Sequence, residues 1–132
     1  MEGRLLVVRP EWLDVVLSTS IYYTALRAAR GWEPGELVFL ISKTGAGQCF
    51  VAYGRIKRIR TELTEEEKAF CLERGWHTAI ELDDLEEMRP PVPVDETPVS
   101  SWGLRGRFLH GRKVSGKDLE DLLRVLRERS RA

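Results

Sequence analysis

The sequence of 132 residues lacks asparagine, contains a single glutamine, and has only two cysteines and two histidines. It also lacks a long apolar run. A helix that crosses a membrane needs about 20 apolar residues, and every apolar segment here is far shorter, so we expect no membrane contact. The first apolar segment, residues 5–8, ends at Arg9 and Pro10, which is too short for a secretory signal. We therefore expect a single cytoplasmic domain over residues 1–132.

The scarcity of cysteine and histidine limits the chemistry of the chain. Cys49 and Cys71 lie in separate apolar runs and form no Cys-x-x-Cys pair, so buried free thiols are favoured over a disulfide. None of the cysteines and histidines has the spacing of metal ligands. The sequence also lacks a Gly-x-Ser-x-Gly nucleophile motif. We predict no metal, no cofactor and no catalytic residue.

The absence of asparagine bears on the source of the protein. Loss of thermolabile amides together with 32% charged residues favours a thermophile. Among the 21 basic residues, 16 are arginine, a bias that the base composition of a genome can equally produce.

The overall charge gives no argument for nucleic-acid binding, because 21 basic and 21 acidic side chains balance. The distribution is uneven: residues 71–100 carry 2 basic and 8 acidic residues, whereas residues 101–132 carry 9 basic and 4 acidic ones. The folded chain can then present a basic face beside an acidic one, an arrangement compatible with a homodimer. The alternative is that these charges mix on folding and only keep the surface soluble.

Short strand patterns alternate with helix patterns along the chain. The predicted elements, in order, are a strand at 4–8, two helices or one broken helix at 10–17 and 22–30, strands at 36–42 and 48–61, a helix at 64–74, a strand at 77–82, an extended proline-rich edge segment at 88–98, a basic strand within 103–111, and a helix after Ser115. Thr64 and Glu67 have the spacing of a capping box. This order favours an α+β fold, with a small, mostly antiparallel β-barrel and flanking helices.

Aromatic and basic side chains gather in two parts of the sequence. The first group, before the strand at 36–42, is Ser18, Thr19, Tyr22, Tyr23 and Trp32. In the second group, Trp102 precedes Arg105 and Arg107 in a glycine-rich stretch. Aromatic faces stack on bases, with about 1–3 kcal/mol for each base, and arginine holds phosphate. The alternative is that these rings belong to an ordinary core or its rim.

Two strand motifs resemble those of the PUA-like superfamily, which includes the PUA, ASCH, EVE and YTH domains. Trp-Glu-Pro-Gly-Glu-Leu-Val-Phe-Leu-Ile at 32–41 resembles a Pro-Gly-Asp-hydrophobic strand entry. Cys-Phe-Val-Ala-Tyr-Gly-Arg-Ile at 49–56 resembles the following strand, which ends in Gly-x-Val/Ile. The later order of proline-rich segment, basic strand and capped helix is most similar to EVE domains. The resemblance spans residues 3–128 and looks most like small uncharacterised archaeal families.

This resemblance implies a five- or six-stranded barrel, with an aromatic-lined pocket between the first helix and the barrel. EVE and YTH relatives hold a modified base there. By position, the residues near such a pocket are Ser18, Thr19, Tyr22, Tyr23, Trp32, Lys43 and Thr44, with Trp102 and Arg105 as further candidates. The Gly-x-Lys-x-x-Glu-x-Arg motif of ASCH domains is missing, so the resemblance does not imply ASCH-type hydrolysis.

The first functional hypothesis is a non-enzymatic module that binds RNA or a modified nucleobase. Its predicted stacking residues are Tyr22, Tyr23, Trp32 and Trp102, and its predicted phosphate contacts are Lys43, Arg55, Arg58, Arg105 and Arg107. Two alternatives stay open. One is a small hydrolase or nucleotide-processing enzyme that uses His77, His110 or an Asp-Lys pair in a cleft. The other is a protein-interaction module that forms a homodimer through its charged faces.

Overall fold

The computed structural model describes residues 2–130. Its strands are β1 (Glu2–Val7), β2 (Ile21–Thr24), β3 (Leu37–Thr44), β4 (Gly47–Arg60), β5 (Thr78–Pro93) and β6 (Lys113–Ser115). Its α-helices are α1 (Pro10–Thr19), α2 (Glu65–Cys71) and α3 (Gly116–Ser130). Five short 3-10 helices, at Arg27–Gly31, Leu72–Arg74, Val94–Glu96, Pro98–Trp102 and Gly106–Leu109, connect them. Among the described helices, none is both long and apolar enough to cross a membrane.

The six strands form one sheet in the order β2-β5-β4-β3-β1-β6. The sheet is mixed, because β1 runs parallel to β3 and antiparallel to β6. It does not close into a barrel, because β1 already has β3 and β6 as neighbours and β2 pairs with β5. The α+β class is confirmed, and the predicted mostly antiparallel barrel is corrected to an open, mixed sheet. A gap is left between β2 and the end of β1.

The predicted strands at 36–42 and 48–61 are confirmed as the hairpin of β3 and β4. Side chains of β3 alternate between two cores, as the period of a strand requires. The core beneath α3 contains Leu37, Phe39, Ile41, Leu122 and Leu126. The core beneath α1 contains Leu6, Val16, Val38, Leu40 and Ile80. The sheet is therefore covered by a helix on each face, which explains why β3 is apolar over residues 37–41.

The predicted helix at 22–30 is wrong over its first part, and only Arg27–Gly31 is helical, as a 3-10 helix. Ser20 adopts a left-handed conformation (φ 57°, ψ 32°), and its N–H donates to the carbonyl of Val16, which ends α1. The next residues form β2, in which Tyr22 and Tyr23 pair with residues of β5. The two tyrosines therefore point to opposite faces of a strand, where the sequence predicted adjacent positions of a helix.

The predicted strand within 103–111 is also wrong. Gly103 and Gly106 have positive φ angles of 69° and 61°, which an extended strand does not accommodate. The segment instead contains the 3-10 helices Pro98–Trp102 and Gly106–Leu109, and pairing resumes only in β6. The other helices agree with the sequence: the Thr64–Glu67 capping box starts α2, and α3 follows Ser115.

Candidate functional site

A cavity of about 600 Å³ lies in the gap where β2 and β1 fail to pair. Its walls come from the end of β1, from α1, from β2 and from the segment that follows α2. The lining residues are Val7, Val8, Arg9, Trp12, Val15, Val16, Ile21, Tyr22, Tyr23, Thr24, Ala25, Leu26, Phe70, Glu73, Arg74, Trp76 and His110. An apolar cavity with a few polar groups is the usual form of a small-ligand site.

Four aromatic rings on one side of this cavity, Trp12, Tyr23, Phe70 and Trp76, form an aromatic cluster. Trp12 meets Phe70 and Trp76 edge to face, with ring centroids 5.3 and 5.6 Å apart. Tyr23 and Trp76 lie nearly parallel, with 10° between their planes and 6.3 Å between centroids. The rings belong to α1, β2, α2 and the loop after α2, so the fold assembles the cluster from distant parts of the chain.

Arg74 lies over the aromatic cluster. Its guanidinium carbon is 4.3 Å from the centroid of Trp12, 4.4 Å from that of Phe70 and 5.8 Å from that of Trp76. The guanidinium also donates to the carbonyl oxygen of Phe70. These are cation–π distances, so the exposed ring faces already hold a planar cationic group that belongs to the chain.

A charged network fixes Tyr23 and α2 beside the cavity. The Tyr23 hydroxyl donates to Glu67 at 2.6 Å, and the Arg60 guanidinium donates to both carboxylate oxygens of Glu67, at 2.9 and 2.8 Å. Arg60 also forms an ion pair with Glu81. The hydrogen bonds from Arg60 lower the pKa of Glu67 to about 2. Burial, with the neighbouring Glu67 carboxylate, raises the pKa of Tyr23.

His110 contributes a polar ring to the cavity wall opposite the network. Its Nδ1 accepts a hydrogen bond from the backbone N–H of Val7 at 2.9 Å, so in the neutral ring the proton is on Nε2. Burial lowers the pKa of His110. The imidazole ring lies 6.3 Å from the ring of Tyr22, which also lines the cavity.

Of the residues that the sequence singled out near a pocket, Tyr22 and Tyr23 line this cavity. The Tyr22 ring is buried, and its hydroxyl donates to the carbonyl of Val7 at 3.1 Å. Ser18 and Thr19 are exposed at the end of α1, where both hydroxyls bond to the carbonyl of Val15. Trp32 is only 6% exposed and lies beneath the guanidinium of Arg4, in the α1 core.

The predicted basic contacts are spread over the surface and lie outside the cavity lining. Thr44 hydrogen-bonds within the β3–β4 turn, next to the exposed Lys43. Arg55 donates to the carbonyl of Gly35 at 3.1 Å, and Arg58 pairs with Glu81 at 2.9 Å. The remaining predicted residues lie near the 3-10 helices: Trp102 donates to Asp118 at 3.3 Å, and Arg105 and Arg107 are exposed.

The sequence reasoning missed most of the cavity. Trp12 and Phe70 lie within the predicted helices at 10–17 and 64–74, and the sequence assigns neither them nor Trp76, Arg74 and His110 to a pocket. Trp76 follows the glycine that ends the helical segment after α2, and an aromatic residue at such a helix exit was the one local signal. The convergence of these rings depends on the packing of α1 against α2, which no local pattern reports.

The two histidines have separate surroundings. The Nε2 of His77 is 3.1 Å from the carbonyl oxygen of Ala25, and its Nδ1 lies close to the Thr78 hydroxyl and the Arg30 guanidinium. Within residues 2–130, neither His77 nor His110 has a hydrogen bond to a carboxylate of the kind that orients a general base.

Comparison with known proteins was made at the levels of sequence and structure. No protein-family model matches this chain, and no curated protein matches it. An ASCH domain from Zymomonas mobilis superposes with a TM-score of 0.66 at 10% identity, over 93% of this chain and 94% of that one. The YTH domain of Zygosaccharomyces rouxii MRB1, solved in complex with N6-methyladenosine RNA, superposes with a TM-score of 0.56 at 13% identity, over 94% and 86%.

At these identities the superpositions establish the fold. Both neighbours belong to PUA-like fold families. The chain has the α+β fold that ASCH and YTH domains share.

Proposed function

We propose that this chain is a non-enzymatic module that binds single-stranded RNA and receives one base, in modified form, in the cavity between β1 and β2. The observation that carries the proposal is the aromatic cluster of Trp12, Tyr23, Phe70 and Trp76 on the cavity wall. Every base has a flat face that stacks on such rings. The YTH neighbour, bound to N6-methyladenosine RNA, supports RNA as the partner of this fold.

The polar groups around the cavity suit a nucleotide. Arg9 and Arg74 line it and supply positive charge for a phosphate, and His110 supplies a ring nitrogen for the base. The hydroxyls of Tyr22 and Tyr23 are already bonded to Val7 and Glu67, so these two residues contribute ring faces. A methyl group on the base adds apolar area that the surrounding valine and leucine side chains bury.

The base replaces Arg74 on the aromatic cluster when it enters. The guanidinium of Arg74 and a nucleobase are both planar and delocalised, and both stack on the face of an aromatic ring. We infer that Arg74 then turns toward the solvent, where it is free to contact a phosphate. This interpretation also explains why the rings are covered by a polar side chain that can be displaced and not by an apolar one.

The test is equilibrium binding of a labelled eight-nucleotide RNA that carries one N6-methyladenosine, with the unmodified RNA alongside. Trp12→Ala is expected to weaken binding of the modified RNA by about 5- to 100-fold, because one stacking face is lost. Trp12→Leu keeps apolar volume without a ring face and is expected to lose nearly as much. Thermal melts establish that both variants fold.

Trp102→Ala is the matched comparison, since Trp102 is a partly exposed tryptophan outside the cavity lining. The cavity proposal expects little change in affinity for this variant. A loss of affinity in Trp102→Ala with none in Trp12→Ala would instead favour the sequence-based prediction of a base near Trp102 and Arg105. Absence of binding by the wild-type chain, for both RNAs, would overturn the proposed function.

A further inference from the structure

Phe108 is an aromatic ring that the fold holds in solvent. It is 64% exposed and is, with Leu72, one of two large apolar side chains described as exposed. Its neighbour Leu109 is fully buried in the α3 core. Phe108 therefore belongs to a packed 3-10 helix and still points its ring outward.

The backbone around Phe108 is firmly anchored. The N–H of Gly106 donates to the side-chain carbonyl of Gln48 at 2.9 Å, and the N–H of Gly111 donates to the carbonyl of Leu5 at 2.7 Å. Arg112 closes the segment with a bond from its N–H to the carbonyl of Leu109 at 3.2 Å. These bonds fix the backbone of the loop from which the ring of Phe108 projects.

Three exposed arginines belong to the same segment of chain as Phe108: Arg105, Arg107 and Arg112. The Nε of Arg112 donates to the backbone carbonyl of Phe108 at 3.1 Å. Within residues 2–130, none of the three forms an ion pair. Uncompensated arginine beside an exposed aromatic face is the combination that binds single-stranded nucleic acid.

This surface, here called the Phe108 surface and made of Arg105, Arg107, Phe108 and Arg112, adjoins the cavity. His110 lines the cavity wall and is two residues from Phe108, a stretch of chain that spans at most about 7 Å. The Phe108 surface is therefore within reach of a nucleotide next to one that is held in the cavity.

We infer that Phe108 stacks on a nucleotide next to the one held in the cavity, while the three arginines contact its phosphates. The inference rests on the proposed function and deepens it, because it gives the site a direction along the RNA and a second base position. A free nucleoside fills only the cavity, whereas an oligonucleotide uses both positions.

The test compares two probes on the same variants: free N6-methyladenosine, and the eight-nucleotide RNA that contains it. Phe108→Ala is expected to leave nucleoside affinity unchanged and to weaken oligonucleotide binding by about 5- to 100-fold. Phe108→Tyr keeps the ring and is expected to bind the RNA like the wild type. Leu72→Ala, which removes the other exposed apolar side chain, is the matched control and is expected to change neither affinity.

Salt dependence separates stacking from phosphate contacts. Replacement of Arg105, Arg107 and Arg112 by glutamine is expected to reduce the slope of log affinity against log salt by about 2, whereas Phe108→Ala leaves the slope unchanged. RNA affinity that is identical in Phe108→Ala and the wild type would overturn this inference and leave the cavity proposal intact. Failure of the wild type to bind nucleoside and RNA alike would overturn both.

Discussion

The hydroxyl of Tyr22 donates to the carbonyl oxygen of Val7 at 3.1 Å, across the gap in which β2 and β1 do not pair. This side chain bridges the two strands where a closed barrel would have a ladder of backbone hydrogen bonds. Both residues line the cavity, so the same bond that ties the edge of the sheet together also shapes the candidate site.

Tyr22→Phe tests that bridge. The variant keeps the buried ring and removes one hydrogen bond to a partly buried carbonyl, so we expect the free energy of unfolding to fall by about 1 kcal/mol. Urea denaturation followed by circular dichroism measures the change. Unaltered stability would show that water replaces the hydroxyl at no cost and that the bridge does not hold the gap.

Glu67 predicts a loss of stability in acid. Its pKa in the folded chain is about 2, against a usual value of 4.5, chiefly because Arg60 donates hydrogen bonds to it. A lowered pKa stabilises the fold above the unfolded value, and that stabilisation is lost as the pH falls from about 4.5 to about 2. Melting temperatures should be measured between pH 2 and pH 6. We expect the melting temperature to fall as the pH is lowered from about 4.5 to about 2.

Glu67→Gln is the matched control for the acid transition, since glutamine also serves in a capping box but carries no charge. The variant should be less stable than the wild type at pH 6 and should show a smaller further loss in acid. Parallel curves for the two proteins would assign the acid sensitivity to other carboxylates, such as Glu81, whose pKa is lowered mainly by Arg58.

Arg74→Ala tests whether a ligand competes with the guanidinium. Removal of Arg74 uncovers Trp12 and Phe70, so free N6-methyladenosine no longer displaces a cation–π contact, and we expect its affinity to rise by about 2- to 5-fold. Isothermal calorimetry with the nucleoside avoids any phosphate contribution. Weaker binding by Arg74→Ala would show that the guanidinium holds the ligand itself.

A side chain at Gly54 would clash with β5, the strand that pairs with β4. A Cβ at this position would lie 2.8 Å from the carbonyl oxygen of Asp83 and 3.2 Å from the Cα of Leu85. Because both are backbone atoms, Gly54→Ala should destabilise the fold by about 1–3 kcal/mol. Gly45→Ala, which meets nothing within 4 Å, should change the free energy of unfolding little. Equal stability of the two variants would contradict the close approach.

Local patterns predicted the elements whose signals are themselves local. The apolar runs of β3 and β4 and the Thr64–Glu67 cap correspond to observed structure because each depends on neighbouring residues. The aromatic and β-branched run of β2 was assigned to a helix, since its pairing with β5, more than fifty residues away, is invisible in a local window. Barrel closure failed for a related reason: β6 occupies the edge of β1.

The residues of the candidate site were likewise predicted only in part. Tyr22 and Tyr23 were predicted near a pocket and do line the cavity. Trp12 and Phe70 looked like ordinary helix faces, because a helical stripe does not report which neighbour it meets. Their contact with Trp76 depends on how α1 and α2 pack, and this tertiary relation is what makes the cluster.

The bond between the Val7 N–H and His110 has a consequence for selectivity. A backbone amide only donates, so it commits Nδ1 to accepting and locks the neutral imidazole as the Nε2–H tautomer. The ring can then offer a donor and never an acceptor. A base that meets it must present a lone pair, such as N7 or N3 of adenine or O6 of guanine. Under the proposed function, a base nitrogen blocked by an alkyl group, or an amino group turned the same way, would be rejected there. A backbone contact at the end of β1 would then select which edge of the base faces His110.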